Sequence, residues 1–143
     1  MGAWIKTITL ASYKGVLSLY SNISTGPYVS FHGSGGNLRF ECSDVGSATR
    51  DLEWGASISG TGLIDDNWHH VFYTYDGNNV RSYKDGVYQN ISVDWTYGCG
   101  NITDTLYIGK FWVGTFNGAI ADVRIYDRAL SAREVKMLYD KKQ

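Results

Sequence analysis

Between Asn67 and Val93 the order of apolar and polar residues suits extended backbone better than any helix. Trp68 to Tyr75, Val80 to Lys84 and Val87 to Val93 are rich in aromatic and β-branched residues, the composition that fits a pleated surface. Asp76-Gly77-Asn78-Asn79 and Asp85-Gly86 interrupt them. The second breaker suits the positive φ angles of a type I′ turn, so Lys84 is expected opposite Val87. That register sets Tyr83 against Tyr88 and Arg81 against Asn90 on one face, and Val80 against Ile91 on the other. Neither face of the first run is plainly polar, because Trp68, His70 and Phe72 alternate with His69, Val71 and Tyr73. A strand of that kind belongs inside a sheet with both sides covered, which implies two stacked sheets.

The same reading places strands at Ala3 to Thr7, Tyr13 to Ser21, Pro27 to His32 and Asn37 to Cys42. Gly33-Ser34-Gly35-Gly36 joins the last two as a flexible hairpin loop. Ser43 to Ser57 has few apolar residues and reads as a long loop, followed by a weak strand from Ile58 to Leu63. Thr105 to Gly109 and Ala119 to Tyr126 are further strands, separated by a turn-rich aromatic connection from Phe111 to Gly118. Ser131-Ala132-Arg133-Glu134 has the spacing of a capping box and opens a short helix whose Val135, Leu138 and Tyr139 share a face. Trp4 and Trp68 are assigned to the core.

Composition narrows the fold class further. Seventeen glycines, one proline and many short strand-like runs in 143 residues describe one all-β domain over residues 1–143, a sandwich or barrel. A formal net charge of −1 and the lack of a basic cluster disfavour nucleic acid as a partner. No apolar run approaches membrane-spanning length, and no signal peptide precedes the first strand. Cys42 and Cys99 allow one internal bridge closing a loop of nearly sixty residues or two partly buried thiols, and the residues leave both open.

Several segments carry a family resemblance. Trp68-His69-His70-Val71 leading to Tyr75-Asp76-Gly77, then Tyr83-Lys84-Asp85-Gly86, then Leu106-Tyr107-Ile108-Gly109, resemble the laminin-G-like group of concanavalin A-like domains. So does the closing run from Phe116-Asn117-Gly118 through Asp122-Val123-Arg124-Ile125-Tyr126 to Leu130-Ser131, and Ala3-Trp4-Ile5-Lys6 is similar to an early strand of the group. The resemblance implies a two-sheet antiparallel jelly roll of roughly a dozen strands with a short C-terminal helix. It also implies an extracellular or surface setting, carbohydrate or glycoprotein partners, and calcium in some relatives, for which the matching carboxylate here is Asp122. Relatives usually have one or two strands before the Ala-Trp-Ile-Lys segment, where this sequence has Met1-Gly2. The expectation that follows is an unpaired edge along Ala119 to Tyr126, open to homodimerisation or strand complementation.

For chemistry, the hydrolase relatives of this fold need two carboxylates across a glycosidic bond. The only glutamates are Glu41, Glu53 and Glu134, and no strand carries the alternating Glu-x-Asp-x-x-Glu pattern. A non-catalytic role is therefore expected. Aromatic faces stack on the C–H faces of sugar rings while carboxylates and amides hold hydroxyl groups. Trp54, Trp95, Tyr97, Phe111 and Trp112 fall in predicted loops beside Asp51, Asp94, Asn101 and Asn117, and rim loops commonly carry binding function. These nine residues are the candidate carbohydrate site. The competing expectation is an adhesive, protein-binding module without sugar affinity. His69 and His70, adjacent on one strand, face opposite ways and cannot form one metal site; His32 reads as isolated and solvated.

Overall fold

A computed structural model describes residues 1–20, 28–34, 36–43, 57–92, 105–112 and 114–141. Its strands are β1 (Gly2–Thr7), β2 (Lys14–Tyr20), β3 (Tyr28–Ser34), β4 (Asn37–Ser43), β5 (Ser57–Ile58) and β6 (Trp68–Tyr75). They continue as β7 (Val80–Lys84), β8 (Val87–Ser92), β9 (Leu106–Ile108), β10 (Lys110–Phe111), β11 (Gly114–Thr115) and β12 (Gly118–Arg124). One helix, α1 (Ala132–Asp140), follows. Two sheets result. The first runs β12-β1-β6-β7-β8, and the second β10-β11-β2-β3-β4-β5, with β9 also on β2. Every pairing is antiparallel except that of β11 with β2, and β6 lies mid-sheet as its two-sided apolar pattern requires.

Period-two alternation sorts each strand between the core and the outside. Ala3 and Ile5 of β1, Val71 and Tyr73 of β6, and Leu38, Phe40 and Cys42 of β4 point inward and form the main core. Cys42 is disulfide-bonded; the chain's other cysteine, Cys99, lies outside the described residues. Tyr73 spans the layer between the sheets. Its hydroxyl donates to the Leu38 carbonyl at 2.8 Å and its oxygen accepts the Ile58 backbone N–H. Complete burial pushes that phenol well above its ordinary pKa.

The outer face of the first sheet is covered by α1. Leu130, Val135 and Leu138 pack on Phe72 and Tyr83, and Tyr139 stacks on Trp4 with centroids 5.7 Å apart. The capping box is present: Ser131 Oγ accepts the Glu134 N–H, and Glu134 Oε2 accepts the Ser131 N–H at 2.8 Å. Beneath the helix the β7–β8 turn has Asp85 and Gly86 at φ 51 and 75, as a type I′ turn demands. His69 is clamped between Asp85 Oδ2 at 2.8 Å and Asp65 Oδ1 at 3.0 Å, tying this turn to the loop before β6.

Two expectations from the sequence need correction here. Lys84 faces Val87 and Tyr83 faces Tyr88, but a bulge follows. Beyond it Ser82 faces Asn90, Arg81 faces Ile91 and Val80 faces Ser92, because one extra residue on β8 shifts every later pair. Trp68 is not core: it is 44% exposed at the first position of β6, where it pairs with Lys6 at the far end of β1.

We predict that Tyr73→Phe leaves the fold intact but lowers its stability by about 1–3 kcal/mol, because the buried Leu38 carbonyl and Ile58 amide lose a shared partner. Urea denaturation of the two proteins measures this, and an unchanged midpoint would contradict it.

Candidate functional site

The outer face of the second sheet carries a row of polar and aromatic side chains that the alternation of β3 and β4 generates. Leu38, Phe40 and Cys42 point inward, so Arg39 and Glu41 point outward, and register sets them opposite His32 and Ser30. Ser30 Oγ and His32 Nδ1 share a hydrogen bond of 3.0 Å. Arg39 Nη1 donates to Glu41 Oε1 at 3.2 Å, which pairs an otherwise costly buried carboxylate. His32 Nε2 lies 3.7 Å from Glu41 Oε2, longer than a hydrogen bond.

A hairpin then folds aromatic rings over this row. Phe111 of β10 stacks on His32 with centroids 4.4 Å apart and 20° between planes. It reaches that position because residue 15 is glycine: a Cβ there would overlap Phe111 Cβ and the Lys110 carbonyl. Tyr13 stacks on His32 at 5.9 Å and 17°. Tyr20 meets Phe111 edge-on at 6.0 Å and stacks on Tyr107 at 4.8 Å, and the Lys110 ammonium sits over the Tyr107 ring at 5.2 Å.

The exposed end of this row is built differently. Tyr13 and Trp112 meet at 5.3 Å with planes at 89°, and they are 41% and 46% exposed. Both hold backbone angles that bulky residues rarely adopt, φ 60 at Tyr13 and φ 50 at Trp112. Such positions cost on the order of 1–3 kcal/mol each and cluster at binding sites. The surroundings enforce them. Tyr20 accepts the Trp112 backbone N–H on its phenol oxygen. Gly114 lets the backbone of Tyr13 approach so closely that a Cβ would strike its carbonyl.

Of the residues expected at a binding site, the consecutive Phe111 and Trp112 lie at this row. Phe111 is not in a loop but in β10, and at 1% exposure its ring supports the row without presenting a face. Asn117 lies in the turn before β12, where its carbonyl accepts the Thr7 hydroxyl, and no contact joins its side chain to the aromatic row. Asp51, Trp54, Asp94, Trp95, Tyr97 and Asn101 lie outside the described residues. Asp122 sits at a bulge in β12 with φ 48, and Arg124 Nε donates to both of its oxygens at 2.9 and 3.0 Å. With that charge paired, and no group of three metal-binding side chains among the described residues, these residues alone do not fit a calcium site.

The sequence reading missed Tyr13 and misplaced His32. Tyr13 precedes β2 instead of opening it, since its left-handed backbone breaks the strand. His32 is not solvated but 1% exposed, because β3 continues to Ser34 and Phe111 and Tyr13 close over the ring. The alternation of Leu38-Arg39-Phe40-Glu41-Cys42 was the available signal for an outward polar row on this hairpin.

Burial, with a smaller contribution from Arg39, pushes the His32 pKa down to about 4. The unfolded chain takes up a proton at this ring near pH 6.5, while the folded chain refuses it until near pH 4. The unfolded state therefore binds more protons across that window. The contribution of His32 is complete above pH 6.5 and declines as pH falls toward 4, by on the order of 3 kcal/mol in all. Urea denaturation from pH 7 to 4 should show this decline, and His32→Gln should flatten it. Equal slopes for the two proteins would contradict the assignment.

Comparison with known proteins places this geometry. The family model described as the concanavalin A-like lectin/glucanases superfamily, Laminin_G_3, matches residues 1–136. No curated protein matches the chain in sequence. Among solved structures, domain 4 of AbnA, a GH43 extracellular arabinanase from Geobacillus stearothermophilus in complex with arabinotriose, superposes with a TM-score of 0.67 at 19% identity. That match covers 96% of this chain and 64% of the other. The binding domain of botulinum neurotoxin DC in complex with SialylT gives 0.67 at 15% identity, covering 97% and 34%. The binding domain of Paraclostridial Mosquitocidal Protein 1 gives 0.62 at 15%, covering 96% and 35%. The chain thus spans under two thirds of each, and at these identities the likeness establishes the jelly-roll sandwich.

Proposed function

This chain belongs to the concanavalin A-like lectin/glucanase superfamily, and from that premise we propose that it is a non-catalytic carbohydrate-binding module of an extracellular or surface protein. The observation that carries the reading is the exposed pair Tyr13 and Trp112, both held at positive φ. Strain at two bulky aromatics is stable only where surrounding structure imposes it, and what it achieves here is a fixed aromatic surface in solvent. Such rings bind the apolar faces of sugars. Similar folds solved with arabinotriose and with SialylT support the ligand class. Asp51, Asp94 and Asn101 are proposed to supply hydroxyl-binding groups, with Trp54, Trp95 and Tyr97 as further stacking faces.

The test is a glycan array with the protein and Trp112→Gly, run in calcium and repeated in EDTA. Glycine suits φ 50 and so removes the ring without adding strain. The wild type is expected to bind a restricted set of glycans, and the variant to bind them about tenfold or more weakly at an unchanged melting temperature. Silence of the wild type in both buffers overturns the proposal.

A second reading rests on β12. It ends the first sheet, pairing with β1 alone among the described residues, and Ala119, Ala121, Ile125 and Tyr126 are exposed. The bulge at Asp122 blunts one end of that edge, leaving Gly118 to Ala121 as the segment able to take another strand. On this reading the chain is a protein-binding or self-associating module. Light scattering across a concentration series should show a dimer that Ala121→Pro dissociates. A monomer throughout counts against it.

A further inference from the structure

We infer that Trp68 is the platform of a second carbohydrate site, on the outer face of the first sheet, where its ring takes one face of a sugar while Lys6 and Asp66 hold the hydroxyl groups. The ligand class rests on the carbohydrate-binding reading. The site shares no residue with the Tyr13–Trp112 pair.

Alternation along β6 places the ring. Val71 and Tyr73 point into the core, so Trp68, His70 and Phe72 point to the outer face. Leu130 and Val135 cover Phe72, and Tyr139 of α1 lies over Trp4 and His70 with centroids at 5.7 and 6.3 Å. Trp68, one row further along, is 44% exposed. Register sets Lys6 of β1 beside it and Ala119 of β12 beyond Lys6, and the next row ends in Ala121. Both alanines are exposed. The indole and the Lys6 side chain therefore rise side by side above a low margin of methyl groups, which leaves room for a flat ring at their flank.

The polar groups stand where a stacked sugar presents its hydroxyls. Lys6 Nζ lies 3.5 Å from Asp66 Oδ1, and the two side chains are 38% and 64% exposed. A surface ion pair at that distance is loose, so both groups keep donors and acceptors for hydroxyl groups. The segment that carries Asp66 is held in place. Its N–H donates to the Thr7 carbonyl at 3.2 Å. The neighbouring Asp65 is bound by His69 at 3.0 Å and accepts the Asn67 N–H at 3.0 Å. The carboxylate is thus set beside the end of β1 before a ligand arrives, which lowers the cost of binding.

Sugar suits this surface better than protein does. The centre of a protein interface is depleted in charged residues, whereas Trp68 stands among Lys6, Asp65, Asp66 and Asn67. A pyranose satisfies both kinds of group, its C–H face on the indole and its hydroxyls on the carboxylate and ammonium. Trp68 and Trp112 belong to different sheets, each on its outer side. One sugar residue cannot touch both, so the chain carries two sites.

The experiment is an NMR titration of the isotope-labelled protein with arabinotriose, xylotriose, cellotriose and mannotriose. The indole N–H signals of Trp68 and Trp112 are assigned by their loss in Trp68→Ala and Trp112→Gly, with melting curves as controls for folding. The Trp68 signal is expected to move in the wild type and in Trp112→Gly alike, with affinities equal within about twofold. Lys6→Met keeps the apolar stem beside the ring, and Asp66→Gly suits the native φ of 61. Each should weaken the Trp68 response about tenfold and leave the Trp112 response unchanged. A Trp68 signal that stays still while the Trp112 signal responds overturns the second site and leaves the carbohydrate-binding reading standing. A Trp68 response that both variants leave intact overturns the roles given to Lys6 and Asp66. Silence of both signals toward all of these sugars overturns the site and the reading together.

Discussion

One buried phenol fixes how the two sheets of the sandwich lie on each other. Tyr73 lies mid-strand in the central strand of one sheet, and its hydroxyl reaches the Leu38 carbonyl of the other. Apolar packing between sheets is non-directional and tolerates sliding, whereas this hydrogen bond has one geometry. Its oxygen also takes the Ile58 amide, so three segments distant in sequence meet at one atom. Phe40 packs on the same ring at 5.4 Å. The junction thereby sets where β4 lies over β6, and β4 in turn sets which side chains β3 and β4 turn outward.

That outward row explains the site. Once Leu38, Phe40 and Cys42 are committed to the core, Arg39 and Glu41 have nowhere to go but the outer face, and Ser30 and His32 lie beside them. Polar groups there would ordinarily meet water. Ser30, His32 and Glu41 are buried there: Gly15 leaves a gap into which Phe111 settles, and the rings of Tyr13 and Phe111 close on His32. The exposed Tyr13–Trp112 pair is the far end of this stack. Its strain at Tyr13 and Trp112 is sustained by a packed, hydrogen-bonded base, as preorganised binding sites require.

The helix does the corresponding work on the opposite face, and the His69 clamp ties the turn beneath it to the loop before β6. Asp65 and Asp85 hold His69 from both ring nitrogens, and α1 closes over Phe72 and Tyr83. Among the described residues β12 is an edge with one neighbour, while the Tyr13–Trp112 pair lies beside the other sheet. The two surfaces are therefore separate, and occupancy of one does not require the other.

By itself the sequence determined most of the longer strands, the central place of β6, the Asp85-Gly86 turn, the capped helix and the all-β sandwich, while it extended β5 to Leu63 and read β10 and β11 as a connection. Each is encoded locally, in alternation, in turn chemistry or in a four-residue cap. The reach of Phe111 and Trp112 toward a shared surface was half legible, since aromatics in a turn-rich connection mark a rim but not its direction. Only the tertiary structure decided the slip after Ser82, the exposure of Trp68, the burial of His32 and the role of Tyr13. Those depend on which backbone passes over which. A glycine at position 15 and a hairpin nearly a hundred residues later must meet before either has its meaning. No local pattern specifies that meeting, because the energy that fixes it comes from long-range packing and from one phenol bonded across two sheets.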